Sequence, residues 1–114
     1  LAGSNYFPDC SDSIFLIEVY KSSPEALLYE LTQLKALGVF DKINAVVIGH
    51  NFGFQDKKFK VEDIVNDFLE NYNFPILKIN EFGHYQPHAF FPIGVNIKVD
   101  ATNKKIEIID DFLD

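Results

Sequence analysis

The chain has 114 residues, 47% of them hydrophobic, and carries 17 acidic against 10 basic side chains for a net charge of −7. That length supports one domain around one core, and that hydrophobic fraction excludes a disordered segment. Acids spread along the chain with basic residues among them exclude a nucleic-acid footprint, and no apolar run approaches the roughly 20 residues of a membrane-spanning helix.

Residues 1–12, rich in Gly, Ser, Asn, Asp and Pro, read as an arriving linker with little structure of its own. The chain opens on Leu1 rather than Met, as a fragment or processed protein would, and Leu1-Ala2-Gly3-Ser4 has neither the basic nor the apolar region of a secretion signal. Cys10 is the only cysteine, which excludes an internal disulfide, fits a reducing, cytoplasmic setting and leaves a structural thiol. A strand is predicted over residues 14–19, apolar on both faces and therefore central in a sheet. A helix follows: Ser22 or Ser23 caps it, Pro24 fits its first turn, Glu25 completes a capping box, and Leu27, Leu28, Leu31, Leu34 and Leu37 recur at helical spacing until Gly38 stops it. Residues 45–49, Ala-Val-Val-Ile-Gly, form a short buried strand, so strand, helix and strand make a crossover unit with a parallel pair.

Residues 50–60 are polar, with Gly53, Lys57 and Lys58, and read as a loop beyond the carboxyl end of that strand, where function often lies. A second helix is predicted over residues 61–71, striped by Val61, Ile64, Val65, Phe68 and Leu69, then a third strand over 75–79 and a loop over 81–92. The tail alternates: Val95, Ile97 and Val99 face one way and Asn96 and Lys98 the other, mirrored after Ala101-Thr102-Asn103 by Ile106 and Ile108 against Lys105 and Glu107. The expected fold is a small α/β domain with a mixed sheet, two helices and a C-terminal β-hairpin.

One residue breaks this pattern. Glu18 is a carboxylate inside the apolar run of the first strand, and Phe82-Gly83-His84 places a histidine in a Gly-containing loop after the third. A serine hydroxyl is a poor nucleophile until a neutral imidazole takes its proton, and the imidazolium formed needs an acceptor on its other nitrogen. Glu18 and His84 thus read as the orienting acid and the base of a hydrolytic triad whose nucleophile is not on this chain. On the residues alone, two simpler arrangements stay open: Glu18 paired with a lysine such as Lys21 or Lys78, and His84 bonded to backbone in a turn.

The residues Ile14-Phe15-Leu16-Ile17-Glu18, then Leu31-Thr32-Gln33-Leu34 with Gly38-Val39-Phe40-Asp41-Lys42, then Val46-Val47-Ile48-Gly49, then Gly83-His84 and Pro92-Ile93-Gly94 carry a resemblance in their order and spacing. The chain resembles, over nearly its whole length, the C-terminal domain of the LD-carboxypeptidase and microcin-immunity (MccF-like) serine peptidases. The resemblance implies a swivelling-domain-like fold over residues 13–114, preceded by a linker from a missing N-terminal domain. It implies a two-domain cytoplasmic enzyme whose larger N-terminal domain supplies the nucleophilic serine and the oxyanion-hole amides, with Glu18 and His84 catalytic. The implied substrates are murein peptides, cut between an L-residue and a terminal D-alanine, as in peptidoglycan recycling, or a peptide-nucleotide antibiotic, as in microcin resistance. A stand-alone binding module that kept the fold but lost its catalytic partner is the rival from another class. No cofactor, metal, nucleic acid or membrane is expected as a partner, and a second copy of the chain is a candidate one.

The chain departs from the family at two places. Val19 follows the glutamate where an acid is common, and Tyr85-Gln86-Pro87-His88 follows the histidine where Thr and Pro are usual. Substrate contacts near Tyr85 and His88 are therefore not carried over. His84 and His88 have the spacing of paired metal ligands on a helix, but Gly83 and Pro87 forbid that helix. Ser22 and Ser23 sit where a cap is wanted, and Ser4, Ser11 and Ser13 lie in or beside the linker, so none reads as a nucleophile. His50 reads as a solvent-exposed loop histidine, with the interdomain cleft as the other place for it, and Phe90-Phe91 as a core or interface plug. If Glu18 orients His84, the two must converge at one sheet edge within about 3 Å or through one water, on an apolar surface to which Phe82, Tyr85, Phe90 and Phe91 contribute.

Overall fold

The computed structural model describes residues 1–86 and 88–110. In chain order the elements are β1 (Ile14–Ile17), α1 (Pro24–Ala36), β2 (Ala45–Ile48), α2 (Val61–Phe68), β3 (Ile76–Lys78), β4 (Ile97–Asp100) and β5 (Lys105–Ile108). The first three strands make a parallel sheet in the order β1-β2-β3, and β4 and β5 pair antiparallel in a sheet of their own. The parallel and antiparallel pairings expected of the chain are thus both present, divided between two ladders. A parallel strand needs a crossover and an antiparallel one only a turn, which is why the long connections carry helices and the last is a short loop.

α1 has explicit ends. The Ser23 hydroxyl accepts from the Ala26 amide at 3.3 Å, and Pro24 opens the first turn, where its missing N–H costs nothing. With Ser23 rather than Ser22 as the cap, Glu25 falls one place short of a capping box. Its carboxylate turns back to its own amide and the Ser23 hydroxyl, and these bonds hold it below the usual glutamate range. At the other end Gly38, at φ +69°, lets its own amide donate to Lys35 and the Val39 amide to Leu34, closing the last carbonyls in a Schellman motif. Leu27 and Leu31 are buried and Leu34 and Leu37 pack against the core, whereas Leu28 is 42% exposed, off the stripe.

α2 stops at Phe68, three residues before its expected end, because the chain tightens into a turn in which Tyr72 donates to Leu69 at 2.9 Å. The two helices pack together, with Phe40 edge-on to both Phe68 and Tyr72 and the Lys35 ammonium over the same two rings. Beneath them lies the core of Leu27, Leu31, Phe40, Val46, Ile48, Val61, Val65 and Leu69. Val47 points the other way from Val46 and Ile48, in register with Leu16 and Leu77.

Two expectations change. β2, buried at all four positions, is the central strand, and β1, half-buried throughout, is an edge among the described residues. A run apolar on both faces does not by itself distinguish centre from edge when loops shield the edge. β1 also ends at Ile17, so Glu18 lies just past the strand, not within it. Residues 1–12 hold no helix or strand, yet Cys10 is buried in the core, Phe7 packs against it, and the Asp12 amide donates to Lys42. The hairpin has the expected half-buried face, Ile97 and Val99 opposite Ile108 and Ile106. Residues 111–114, the end of the expected domain, lie outside the described residues.

Candidate active site

The carboxyl ends of the three parallel strands deliver the chemistry-bearing residues to one edge, the position at which open α/β sheets hold their ligands. β1 runs out into Glu18 and Tyr20, β2 into Gly49 and His50, and β3 into the segment bearing Phe82, Gly83 and His84. Backbone bonds continue past the strands: Gly49 donates to Ile17 at 2.8 Å, Ile79 to Ile48 at 2.9 Å and His50 to Phe82 at 2.7 Å. The last contact requires Gly49, since a Cβ there would meet the Phe82 ring and stand 2.8 Å from its carbonyl oxygen.

Glu18 and His84 meet. One carboxylate oxygen, Oε1, accepts both the His84 backbone N–H at 2.7 Å and a contact from the ring Nδ1 at 2.5 Å. A carboxylate offers only acceptors, so Nδ1 carries the proton in this pair and Nε2 is left as the acceptor of a neutral ring. The Glu18 side chain is 20% exposed and that of His84 59%, so the acid is recessed and the base opens to solvent. Gly83 makes the approach possible. At φ +123° it adopts backbone closed to ordinary residues, and a Cβ would stand 2.9 Å from the His50 carbonyl oxygen and 3.0 Å from Glu18 Oε1.

The simpler partners are engaged elsewhere. Lys78 donates to the Ile79 carbonyl and to Asn80, and burial pushes its ammonium below the usual lysine range. The Lys21 ammonium lies over the Tyr20 ring, 5.1 Å from its centroid. Val19 is 3% exposed and part of the core, so the chain alternates from pocket to core to surface across residues 18–20.

Two aromatic contacts frame the pair that sequence reasoning did not single out. Tyr20 lies against the His84 ring with centroids 4.4 Å apart, backed by Phe52 at 5.8 Å, and Tyr85 stacks on His50 at 4.6 Å. Period-two alternation was the available signal for Tyr20, two residues past Glu18 and so on its side of an extended chain. Phe52 gave none, lying in a loop. Glu18, Phe82, Gly83, His84, Gln86 and His88 line an open depression at the pair, with no serine among them. His50 is half-buried under Tyr85, not a free loop histidine. Phe91 packs against Phe82, while Phe90 is 87% exposed and Tyr85 also faces solvent. Residues 81–86 are not helical, and Pro87 lies outside the described residues. The described residues hold no cluster of three side chains suited to a metal, and no helix among them is long and apolar enough to cross a membrane.

The sequence profile of the LD-carboxypeptidase C-terminal domain matches residues 1–99. The chain belongs to that family. Among its curated relatives is the microcin C7 self-immunity protein MccF of Escherichia coli, 27% identical over 97% of this chain and 33% of the relative. Another, from Bacillus subtilis, bears the name "Putative carboxypeptidase YocD" and is 32% identical over 90% of this chain and 32% of the relative. The solved structure of MccF in complex with aspartyl sulfamoyl adenosine superposes with a TM-score of 0.89 at 27% identity, over 98% of this chain and 34% of that one. The muramoyltetrapeptide carboxypeptidase of Oxalobacter formigenes shares the fold, with a TM-score of 0.75 at 24% identity over 92% of this chain and 38% of the other. The chain spans about a third of the length of the curated relatives it matches.

Proposed function

We propose that this chain is the acid-and-base portion of a two-domain cytoplasmic serine carboxypeptidase. A larger N-terminal domain, entered through residues 1–12, would supply the nucleophilic serine and the oxyanion-hole amides. The observation that carries this reading is the contact of His84 Nδ1 with Glu18 Oε1 at 2.5 Å, at the carboxyl edge of a parallel sheet, with the rest of the ring open. Relatives about three times the length of this chain support the missing domain.

In this reading His84 Nε2 takes the serine proton as the hydroxyl oxygen attacks the scissile carbonyl, and Glu18 steadies the imidazolium that results. The proton then passes from Nε2 to the departing amine, the peptide bond breaks and an acyl-enzyme remains. Water, losing its proton to the same nitrogen, hydrolyses the ester and restores the serine. The substrate we assign is a murein peptide cut between an L-residue and a terminal D-alanine. A peptide-nucleotide antibiotic is the second reading, favoured by the likeness to MccF along almost the whole chain. Recognition surfaces of the N-terminal domain would separate the two. A binding module without turnover is the third.

Full-length protein incubated with a murein tetrapeptide and, separately, with an aminoacyl-nucleotide conjugate tests all three. Release of D-alanine supports the first reading and release of the amino acid the second, whereas turnover of neither leaves the binding module. His84→Ala should lower turnover by several orders of magnitude with folding intact, since the base acts in the chemical step. Near-normal turnover in that variant would remove His84 from the mechanism.

A further inference from the structure

Contact with Glu18 fixes how far His84 Nδ1 lies from the carboxylate but not how the ring is turned. Both donors of His84 converge on one oxygen, and one distance does not fix two side-chain torsions, so the ring can still turn and swing Nε2 away from an incoming hydroxyl. With the side chain 59% exposed, the core does not clamp it. Tyr20 does. Its ring lies 4.4 Å from the imidazole, centroid to centroid, with the planes 34° apart, and Phe52 backs it at 5.8 Å and 16°.

The segment that carries Tyr20 is itself held. Val19 is anchored in the core on one side of Tyr20. On the other, the Lys21 amide donates to the Phe52 carbonyl at 2.7 Å and the Gln55 amide to the Ser22 carbonyl at 2.8 Å, tying the segment after β1 to the loop after β2. Lys21 takes φ +47°, rare for a residue with a side chain, and its stem lies over Gly53, where a Cβ would stand 2.9 Å from Lys21 Cγ. A tyrosine so mounted offers a fixed ring face rather than a mobile one.

We propose that Tyr20 is a positioning residue for His84: its ring face, supported by Phe52, sets the plane of the imidazole and hence the direction of Nε2, and it faces the imidazolium when the proton arrives. This rests on the reading of His84 as the base. The ring and not the hydroxyl does the work, since stacking and the attraction of a cation to an aromatic face need only the π system.

The test compares Tyr20→Leu and Tyr20→Phe in the full-length protein, with Glu18→Gln and His84→Ala beside them. Tyr20→Leu should lower kcat about tenfold at unchanged KM, the size expected when one aromatic contact is lost and the base drifts, and Tyr20→Phe should restore it. In protein carrying ring-labelled histidine, the His84 Cε1 proton should leave its ring-shifted position in Tyr20→Leu and keep it in Tyr20→Phe. Wild-type kcat or an unmoved His84 signal in Tyr20→Leu would overturn the proposal, as would an equal loss of kcat in Tyr20→Phe. Tyr20 is 46% exposed, so the leucine should leave the melting transition in place. If it does not, Phe52→Leu substitutes, with a smaller fall in kcat expected and an unchanged kcat counting against the proposal. Inactive His84→Ala beside a fully active Tyr20→Leu defeats the role of Tyr20 alone; active His84→Ala defeats the triad.

Discussion

At the scale of single residues, the geometry at the Glu18–His84 pair depends on a side chain that is not there. Gly83 leaves room for the His50 carbonyl and the Glu18 carboxylate to close on the same backbone, at a φ open to glycine and strained for others. Gly83→Ala should therefore cost about 1–3 kcal/mol in a denaturant titration and lower turnover of the full-length protein by about 10²-fold, because a shift near 1 Å at the base is enough to do so. An alanine variant as stable and active as the parent would mean the backbone there relaxes freely. Glu18→Gln tests the other partner. The amide keeps an oxygen acceptor but loses the charge that steadies the imidazolium, so kcat should fall by roughly 10³–10⁴-fold while the melting temperature barely moves. A kcat within a few-fold of the parent would leave Glu18 a structural acceptor only.

At the scale of elements, α1 and the hairpin are fixed by local polar contacts whose removal can be measured. Ser23 caps α1 by accepting from Ala26, and Ser23→Ala should destabilise the chain by about 1 kcal/mol. The hairpin is closed at each end by an aspartate. Asp100 accepts from the amide and side chain of Asn103 in the turn, Asp110 from the amide and side chain of Asn96 at the open end, and these bonds hold both carboxyls below the usual aspartate range. A carboxyl lowered on folding stabilises the folded form above its unfolded pKa of about 4 and loses that contribution as pH falls through the folded value. The protection of the Ile109 amide against hydrogen exchange, relative to its free-peptide rate at each pH, should then fall below about pH 4 before that of the β2 amides does, since this amide donates to the Asn96 carbonyl. Asp110→Asn should make Ile109 exchange lose that acid dependence; a hairpin equally protected at pH 3 and pH 7 would refute the assignment.

At the scale of the whole molecule, the edge that bears Glu18 and His84 also exposes aromatic rings. Tyr20, Phe52 and Tyr85 are all open to solvent, the first two beyond the residues expected from sequence. Apolar surface gathered beside this pair is what the proposed second domain would bury. On that proposal the 114-residue chain alone should self-associate on sedimentation, release no D-alanine from a murein tetrapeptide, and lose its association when the proposed N-terminal domain is joined to it. A chain that stays monomeric at high concentration, or that turns the peptide over above a heat-killed control, would contradict this picture.

Much of this was legible in the residues themselves. The apolar repeat of α2, the ends of α1 at Ser23 and Gly38, the buried run of β2 and the alternation of β4 and β5 are local signals, each written within a few residues and each realised close to where it stands. Glu18 and His84 were singled out by residue type, an acid beside an apolar strand and a histidine in a glycine-containing loop, but residue type alone left a lysine partner for the one and a backbone partner for the other equally open. Strand order was not so marked. A run such as Ile14–Ile17 is equally apolar at a centre or at a shielded edge, and only its pairing, with β2 alone among the described residues, decided it. The same holds for the convergence of two donors on one Glu18 oxygen, for the demand of Gly83 for empty space, and for the contacts of Tyr20 with Phe52 and His84. Those contacts join loops after three different strands, and local periodicity carries no information about which loops will touch; packing of the helices and sheet sets the distances between strand ends, and so decides the site.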